Sequence, residues 1–251
     1  MDCDQWKAIW LAEEKKTFSG WDFSCIANRT SEEWLPWDYK EIVLSFMDAE
    51  TTMLDMGTGG GEFLLSLHPP QGRTFATEAY PENFELCKRI LLRHGIEVHQ
   101  VFDDEHLPYE DDYFDLIINR HESFSSREVF RILKPGGIFV TQQVGGQNNR
   151  ELSRFLLGND AMRTEPDFNL QTAQDDLASA GFTICDGKEH FPYLRFFDIG
   201  ALVYFAKIIE WEFPGFSVEK CFDQLCELQK TIEETGYMET IEHRFMIVGR
   251  K

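Results

Sequence analysis

The stretch LDMGTGGGEFL, Leu54 to Leu64, places four glycines within five positions directly behind a short apolar run. A turn with so few Cβ atoms lets the chain take positive φ and pass close to a bound molecule. The run before it, TMLDM, reads as a strand, so the turn falls at a strand's carboxyl end, where open parallel sheets hold their ligands. A helix opening at about Gly61 or Glu62 adds unpaired N–H groups at the same place. The local physics favours a nucleotide.

The surrounding chain supports a sheet of that kind. From about residue 51 to 187, strand-like and helix-like patterns alternate, as in a parallel sheet wrapped by helices. After TMLDM come the strand RTFATE and a helix over PENFELCKRILLRHG, with Pro81 in its first turn, Leu86, Ile90 and Leu91 on one face, and Gly95 past its end. EVHQVF and YFDLIIN follow as strands. SSREVFRIL is a helix stopped by KPGG, IFVTQQV a fifth strand, TAQDDLASAG another helix, and FTICDG and HRFMIVG the last two strands. Residues 1–50 are rich in tryptophan (Trp6, Trp10, Trp21, Trp34, Trp37) and read as helical, with TSEE (30–33) at capping-box spacing. Residues 188–240 read as a mostly helical insertion. Within it Val218, Cys221, Phe222, Leu225, Leu228 and Ile232 share a face and are expected to be core.

The spacing of the glycines and the nature of their neighbours separate the candidate nucleotides. The dinucleotide fingerprint G-x-G-x-x-G requires glycine at position 62, and this chain has Glu62. The pattern that fits is acid-x-G-x-G-x-G: Asp55, Gly57, Gly59 and Gly61. It resembles the first motif of the class I S-adenosylmethionine-dependent methyltransferases, of the type 11-like kind. The resemblance covers roughly residues 40 to 187 and the last strand. Glu78, ending TFATE, stands where that family keeps an acid for the ribose hydroxyls. DDEHLPYEDDYFDLII resembles its third motif and places Asp103 or Asp104 at the adenine, with His106 and Leu107 near the ring. VFRILKPGGIFV is similar to its approach to the fifth strand.

The resemblance implies an α/β, Rossmann-like class I methyltransferase fold: a mostly parallel seven-stranded sheet with an antiparallel last strand and helices on both faces. It implies a single domain over residues 1–251, in which 1–50 form a helical N-terminal cap, 51–187 the cofactor-binding sheet, 188–240 a helical lid and 241–251 the last strand. The implied cofactor is S-adenosyl-L-methionine, with Asp55, Gly57, Thr58, Gly59, Gly61, Glu78, Ala79, Asp103, Asp104 and Asn119 as its contacts and no metal. A cofactor with a sulfonium cation and no phosphate suits a site lined by Asp55, Glu78 and Asp103, whereas a pyrophosphate would be repelled.

Methyl transfer needs alignment and exclusion of water, and a base only where the acceptor must lose a proton. Of Asn119, Arg120, His121 and Glu122, which follow the fourth strand, His121 is the candidate catalytic residue. Its other reading is a hydrogen-bonded loop histidine. Gln142, Gln143, Gln147, Asn148 and Asn149 follow the fifth strand and either orient a polar acceptor or satisfy loop backbone. Tyr39 and Arg29 are further candidates.

Composition narrows the partners. A formal net charge of -20, from 24 basic and 44 acidic side chains, disfavours general nucleic-acid and anionic-membrane binding. The six cysteines are scattered, without zinc spacing. The N-terminus lacks signal-peptide character, and no apolar run is long enough to span a bilayer. A cytoplasmic enzyme acting on a small-molecule acceptor is expected. The alternatives are a non-catalytic module that binds the same cofactor and an NAD-linked oxidoreductase.

Overall fold

All four residues of the strand Met53–Met56 (β1) are buried, so both its faces are covered, as in the middle of a parallel sheet. In the computed structural model, which describes residues 3–18, 23–158 and 161–251, it is joined by Thr74–Glu78 (β2), Ile96–Gln100 (β3), Phe114–Arg120 (β4), Leu133–Val144 (β5), Thr183–His190 (β6) and Arg244–Arg250 (β7). The strand order is β3-β2-β1-β4-β5-β7-β6. The pairs β1–β2, β1–β4, β2–β3 and β4–β5 are parallel, and one strand of the seven is antiparallel. Lys251, just past β7, exchanges backbone hydrogen bonds with Gly136 and Gly137 near the start of β5, so β7 finishes where its neighbour begins. The order reverses at β1, and β1 carries the glycine turn at its exit, the switch point expected of a ligand site.

The helices between these strands start and stop on local signals. Pro81 opens Pro81–Leu91, and Gly95 turns the chain back at φ +70. Asn169 caps Leu170–Ala180 in a reciprocal box with Thr172, and Gly181 ends it at φ +113. KPGG departs from expectation, because helix Ser126–Ile132 runs straight into β5. Phe114 pairs with Leu133 and Leu116 with Ile138, so residues 134–137 bulge out of the ladder. The stretch still makes a turn, but inside a strand.

The chain divides into two units, one of residues 36–144, 169–189 and 245–251, which holds this sheet, and one of residues 1–35, 145–168 and 190–244. Residues 36–50 fall in the first of these units and 145–168 in the second. That unit is more than helices. Thr30–Glu32, Tyr193–Phe196 and Met238–Ile241 form a small antiparallel sheet. TSEE therefore begins a strand and caps no helix. The helix over Tyr39–Leu44 starts only after Pro36, with the Asp38 carboxylate accepting the Glu41 N–H, since the residue before a proline is pushed to extended backbone. The expected helical face of Val218, Cys221, Leu225 and Ile232 is buried, together with Trp10, Phe196 and Tyr204, and Trp6 stacks on Trp10. Trp21 lies outside the described residues. Arg29 is a clasp within this unit, donating to Asp198 (Nε–Oδ2 2.8 Å) and Glu13.

The same unit buries two carboxyls. Glu212 accepts from Asn148 (2.7 Å) and Asn149 (2.9 Å), and burial raises its pKa. Glu242 is 3% exposed; burial pushes it up to about 8, with Arg244 opposing and Glu32 adding to the rise. A carboxyl near 4.3 when unfolded and about 8 when folded binds its proton more tightly in the folded state, so stability falls as pH rises between those values. Glu242→Gln keeps an uncharged group there. Thermal melts at pH 8 are expected to show a gain of about 1–3 kcal/mol, roughly 2–10 °C, that vanishes near pH 4.

Candidate functional site

The turn after β1 is held open by the end of β2. Gly57, Gly59 and Gly61 adopt φ of +67, +62 and +84, a region that side chains enter only at a cost. The Gly57 N–H donates to Thr77 Oγ1 (3.3 Å) and the Thr58 N–H to the Thr77 carbonyl (2.9 Å). Glu78 completes the hold: Oε2 accepts from the Gly59 N–H and Oε1 from the Tyr80 N–H, both at 2.8 Å. Behind the turn, a Cβ on Gly61 would stand 2.8 Å from Leu91 Cδ2. The buried Cys87 thiol donates to the Gly59 carbonyl at 2.9 Å. The Glu62 carboxylate folds over Gly60, taking the space a Cβ would fill. The start of helix Glu62–Ser66 therefore already faces a negative charge, which works against a phosphate there.

The turn is lined by acids. Asp55 is 4% exposed; burial, with Glu78 adding to it, lifts its carboxyl to about 7, while the Thr58 hydroxyl and the Arg120 charge pull the other way. Arg120 lies over the Phe63 ring, 4.2 Å from its centre. Glu122, to which the sequence assigned no role, lies against the first glycine: its Cβ and Oε2 are 2.6 and 2.8 Å from where a Gly57 Cβ would stand. Burial, Asp104 and Glu78 raise it to about 6. Besides Glu62, four carboxyls (Asp55, Glu78, Glu122 and Asp104) and the Arg120 guanidinium interact around the turn.

The loop after β3 separates the two candidate aspartates. Asp103 is exposed and turns inward on its own loop, accepting from His106 Nδ1 and the Glu105 N–H, both at 2.9 Å. Those bonds hold its carboxyl below the usual carboxylate range. Asp104 accepts from the Ser123 hydroxyl at 2.6 Å and is the one that bears on Glu122. The loop itself is pinned from below. Glu128 accepts the Leu107 N–H (2.8 Å), and Arg131 pairs with Glu128 while donating to the carbonyls of Leu107 and Tyr109. Ala79 offers its carbonyl to Gln100 (3.2 Å).

At the tips of β4 and β5, the side chains are tied to one another. Asn119 is fully buried. Its backbone exchanges hydrogen bonds with the Tyr39 hydroxyl, and its Oδ1 accepts from Thr141 and Gln143. Gln143 also donates to the Glu122 carbonyl at 3.0 Å. Gln142 holds His121 twice, its carbonyl accepting the His121 N–H at 2.8 Å and its Nε2 lying 3.1 Å from His121 Nε2. His121 sits at φ +64, a strained conformation for such a residue. Trp37 Nε1, which can only donate, meets Gln142 Oε1 at 2.8 Å. That fixes the amide's orientation, so its NH2 faces His121, and His121 Nε2 must accept. A neutral His121 therefore carries its proton on Nδ1. Of the five amides expected after the fifth strand, Gln142 and Gln143 lie within β5 and serve this network. Gln147, Asn148 and Asn149 satisfy Pro166, Glu212 and nearby backbone within the other unit.

An acid-lined glycine turn thus stands at the switch point of a 3-2-1-4-5-7-6 sheet. Residues 54–141 match the family model described as "Methyltransferase domain". It is 34% identical over 101 residues to YcgJ of Bacillus subtilis, an uncharacterized methyltransferase; that match covers 37% of this chain and 40% of the relative. The chain thus spans less than half of that curated relative. The crystal structure of YcgJ superposes with a TM-score of 0.60 at 20% identity, covering 85% of this chain and 97% of the other. A protein of unknown function from Deinococcus radiodurans gives 0.57 at 16% identity, covering 88% and 90%. The [4+2]-cyclase SpnF gives 0.52 at 18% identity, covering 84% and 79%. These three share the fold. Among the described residues, no group of three or more His, Cys, Asp or Glu could hold a metal ion, and no helix is long and apolar enough to cross a membrane.

The Trp37–Gln142–His121 chain generates a direct expectation. Long-range 15N–1H spectra at pH 8 should show His121 as the Nδ1–H tautomer. In Trp37→Phe, which loses the donor that orients Gln142, the signal should shift toward a mixture. An Nε2–H tautomer in the native protein would refute donation from Gln142 to His121.

Proposed function

We propose that the protein transfers a methyl group from S-adenosyl-L-methionine to a small-molecule acceptor. The observation that carries this reading is the charge of the turn: Asp55, Glu78 and Glu122 stand at it and Asp104 bears on Glu122, against the guanidinium of Arg120, which bears on Asp55. Such a set favours a cationic nucleoside and disfavours the pyrophosphate of NAD. The same residues fit the cofactor's other groups. Gly57, Thr58, Gly59 and Gly61 offer the close approach, and Glu78 the acceptor oxygens for a ribose. Ala79 follows Glu78, and Asp104, which bears on Glu122, is favoured for the adenine over Asp103, whose carboxylate is taken by His106 and Glu105 of its own loop. Asn119 acts from behind, as the buried hub that positions Glu122 through Gln143.

The cofactor supplies a methyl on an already activated sulfonium, so the protein's tasks are to bind, orient and exclude water. On the acceptor side His121 is held at the tip of β4 with Nε2 engaged by Gln142. It acts as a base through that nitrogen only after breaking this bond. In this reading His121 fixes the acceptor's position, and the acceptor brings a lone pair of its own. The net charge of -20 supports a small acceptor over a polyanionic one, and a cytoplasmic setting accords with the scattered cysteines.

Isothermal titration tests the reading. The native chain is expected to bind S-adenosylmethionine, and Glu78→Ala, which frees the Gly59 and Tyr80 N–H groups, to weaken binding at least tenfold. A native chain that binds none, or a Glu78→Ala variant of unchanged affinity, overturns it. Turnover against pooled small-molecule acceptors separates an enzyme from a module that only holds the cofactor.

A further inference from the structure

The four acids at the turn are held in different ways. Glu78 is pinned by two backbone N–H groups, Asp55 is buried in β1, and Asp104 takes the Ser123 hydroxyl. Glu122 has an anchored backbone, its carbonyl fixed by Gln143 (3.0 Å) to the Asn119–Thr141 network. Its side chain reaches out to lie directly on Gly57, in space that exists only because that residue has no Cβ. The carboxyl itself meets Ser123, the next residue, whose hydroxyl is 3.5 Å from Oε1. The charged groups that bear on the Glu122 carboxyl are Asp104, from the β3 loop, and Glu78, from the end of β2. Arg120, the nearby cation, acts on Asp55.

We propose that Glu122 is the residue by which this site distinguishes a sulfonium donor from the neutral thioether left after transfer. The proposal rests on the S-adenosylmethionine reading and deepens it. During transfer the acceptor's electron pair forms the new bond to the methyl carbon, and the pair of the broken C–S bond returns to sulfur. The positive charge leaves the sulfur and passes to the acceptor, from which a proton is then lost. Donor and by-product share the nucleoside and the amino-acid end, so a site can tell them apart chiefly by that charge. A carboxylate crowded by Asp104 and Glu78 gains from a cation beside it and gains nothing from a thioether. Its crowded setting keeps the Glu122 proton on up to about pH 6. Donor affinity therefore rises as pH passes upward through that value, and by-product affinity does not follow it.

The test is titration of the chain with S-adenosylmethionine and with S-adenosylhomocysteine between pH 5.0 and 7.5, for the native protein and E122Q. The native protein is expected to favour the donor at pH 7.5, with the preference shrinking at least threefold by pH 5.0. E122Q is expected to lower the preference at least tenfold at pH 7.5, leave by-product affinity within twofold, and give a flat ratio between pH 5.0 and 6.5. An E122Q that changes both affinities by the same factor makes Glu122 a structural residue and overturns the proposal. A native preference that does not vary with pH overturns it without recourse to a variant. Failure of the native chain to bind either compound removes the cofactor reading itself, an outcome distinct from binding both with an unaltered ratio.

Discussion

A run of glycine at positive φ leaves backbone N–H groups that must find partners or face solvent, and here the end of β2 supplies them. Thr77 takes two of these groups and Glu78 a third, so the turn after β1 keeps its shape through the neighbouring strand. The arrangement has a consequence for binding. In the proposed reading the acid that would meet a ribose is also the acid that holds the turn, Glu78. Its position depends on the parallel β1–β2 register, Asp55 opposite Ala76, and on Leu91 filling the space behind Gly61. Packing of the Pro81–Leu91 helix is therefore connected to the site through a few steps.

Electrostatics sets what such a turn can accept. Nucleotide sites built on helix starts usually draw in phosphate. This one has Glu62 folded over Gly60 and four acids around the opening, two of them raised well above the ordinary carboxylate range by burial and mutual repulsion. Repulsion of this kind is costly in an empty site and is relieved by a cation. The fold alone does not fix the reaction, since a [4+2]-cyclase shares it. The charge pattern is the narrower guide.

Much of the sheet was legible in the sequence because its strands are short apolar runs closed by strong punctuation: the glycine turn, Pro81, Gly95 and Gly181. The small sheet of Thr30–Glu32, Tyr193–Phe196 and Met238–Ile241 was not. Its strands are three or four residues long and pair with distant segments, Thr30 with Phe196 and Phe196 with Met238, so no local period announces them. At the turn, Asp55 and the glycines stood out by their spacing, and Glu78 by the resemblance to the methyltransferases. That Asp103 turns onto its own loop while Asp104 meets Ser123 was not legible, because it depends on how a loop held by Glu128 and Arg131 from another helix turns. Glu122 and the Trp37–Gln142–His121 chain were hidden for the same reason, since each exists only through contacts between segments distant in sequence.

Whether the turn is built for a cationic nucleoside without phosphate is decided by equilibrium dialysis of the native chain against S-adenosylmethionine and NAD at equal concentration. S-adenosylmethionine is expected to be retained at one equivalent and NAD not at all. Retention of NAD, alone or in competition with S-adenosylmethionine, would contradict the charge-based reading of the site.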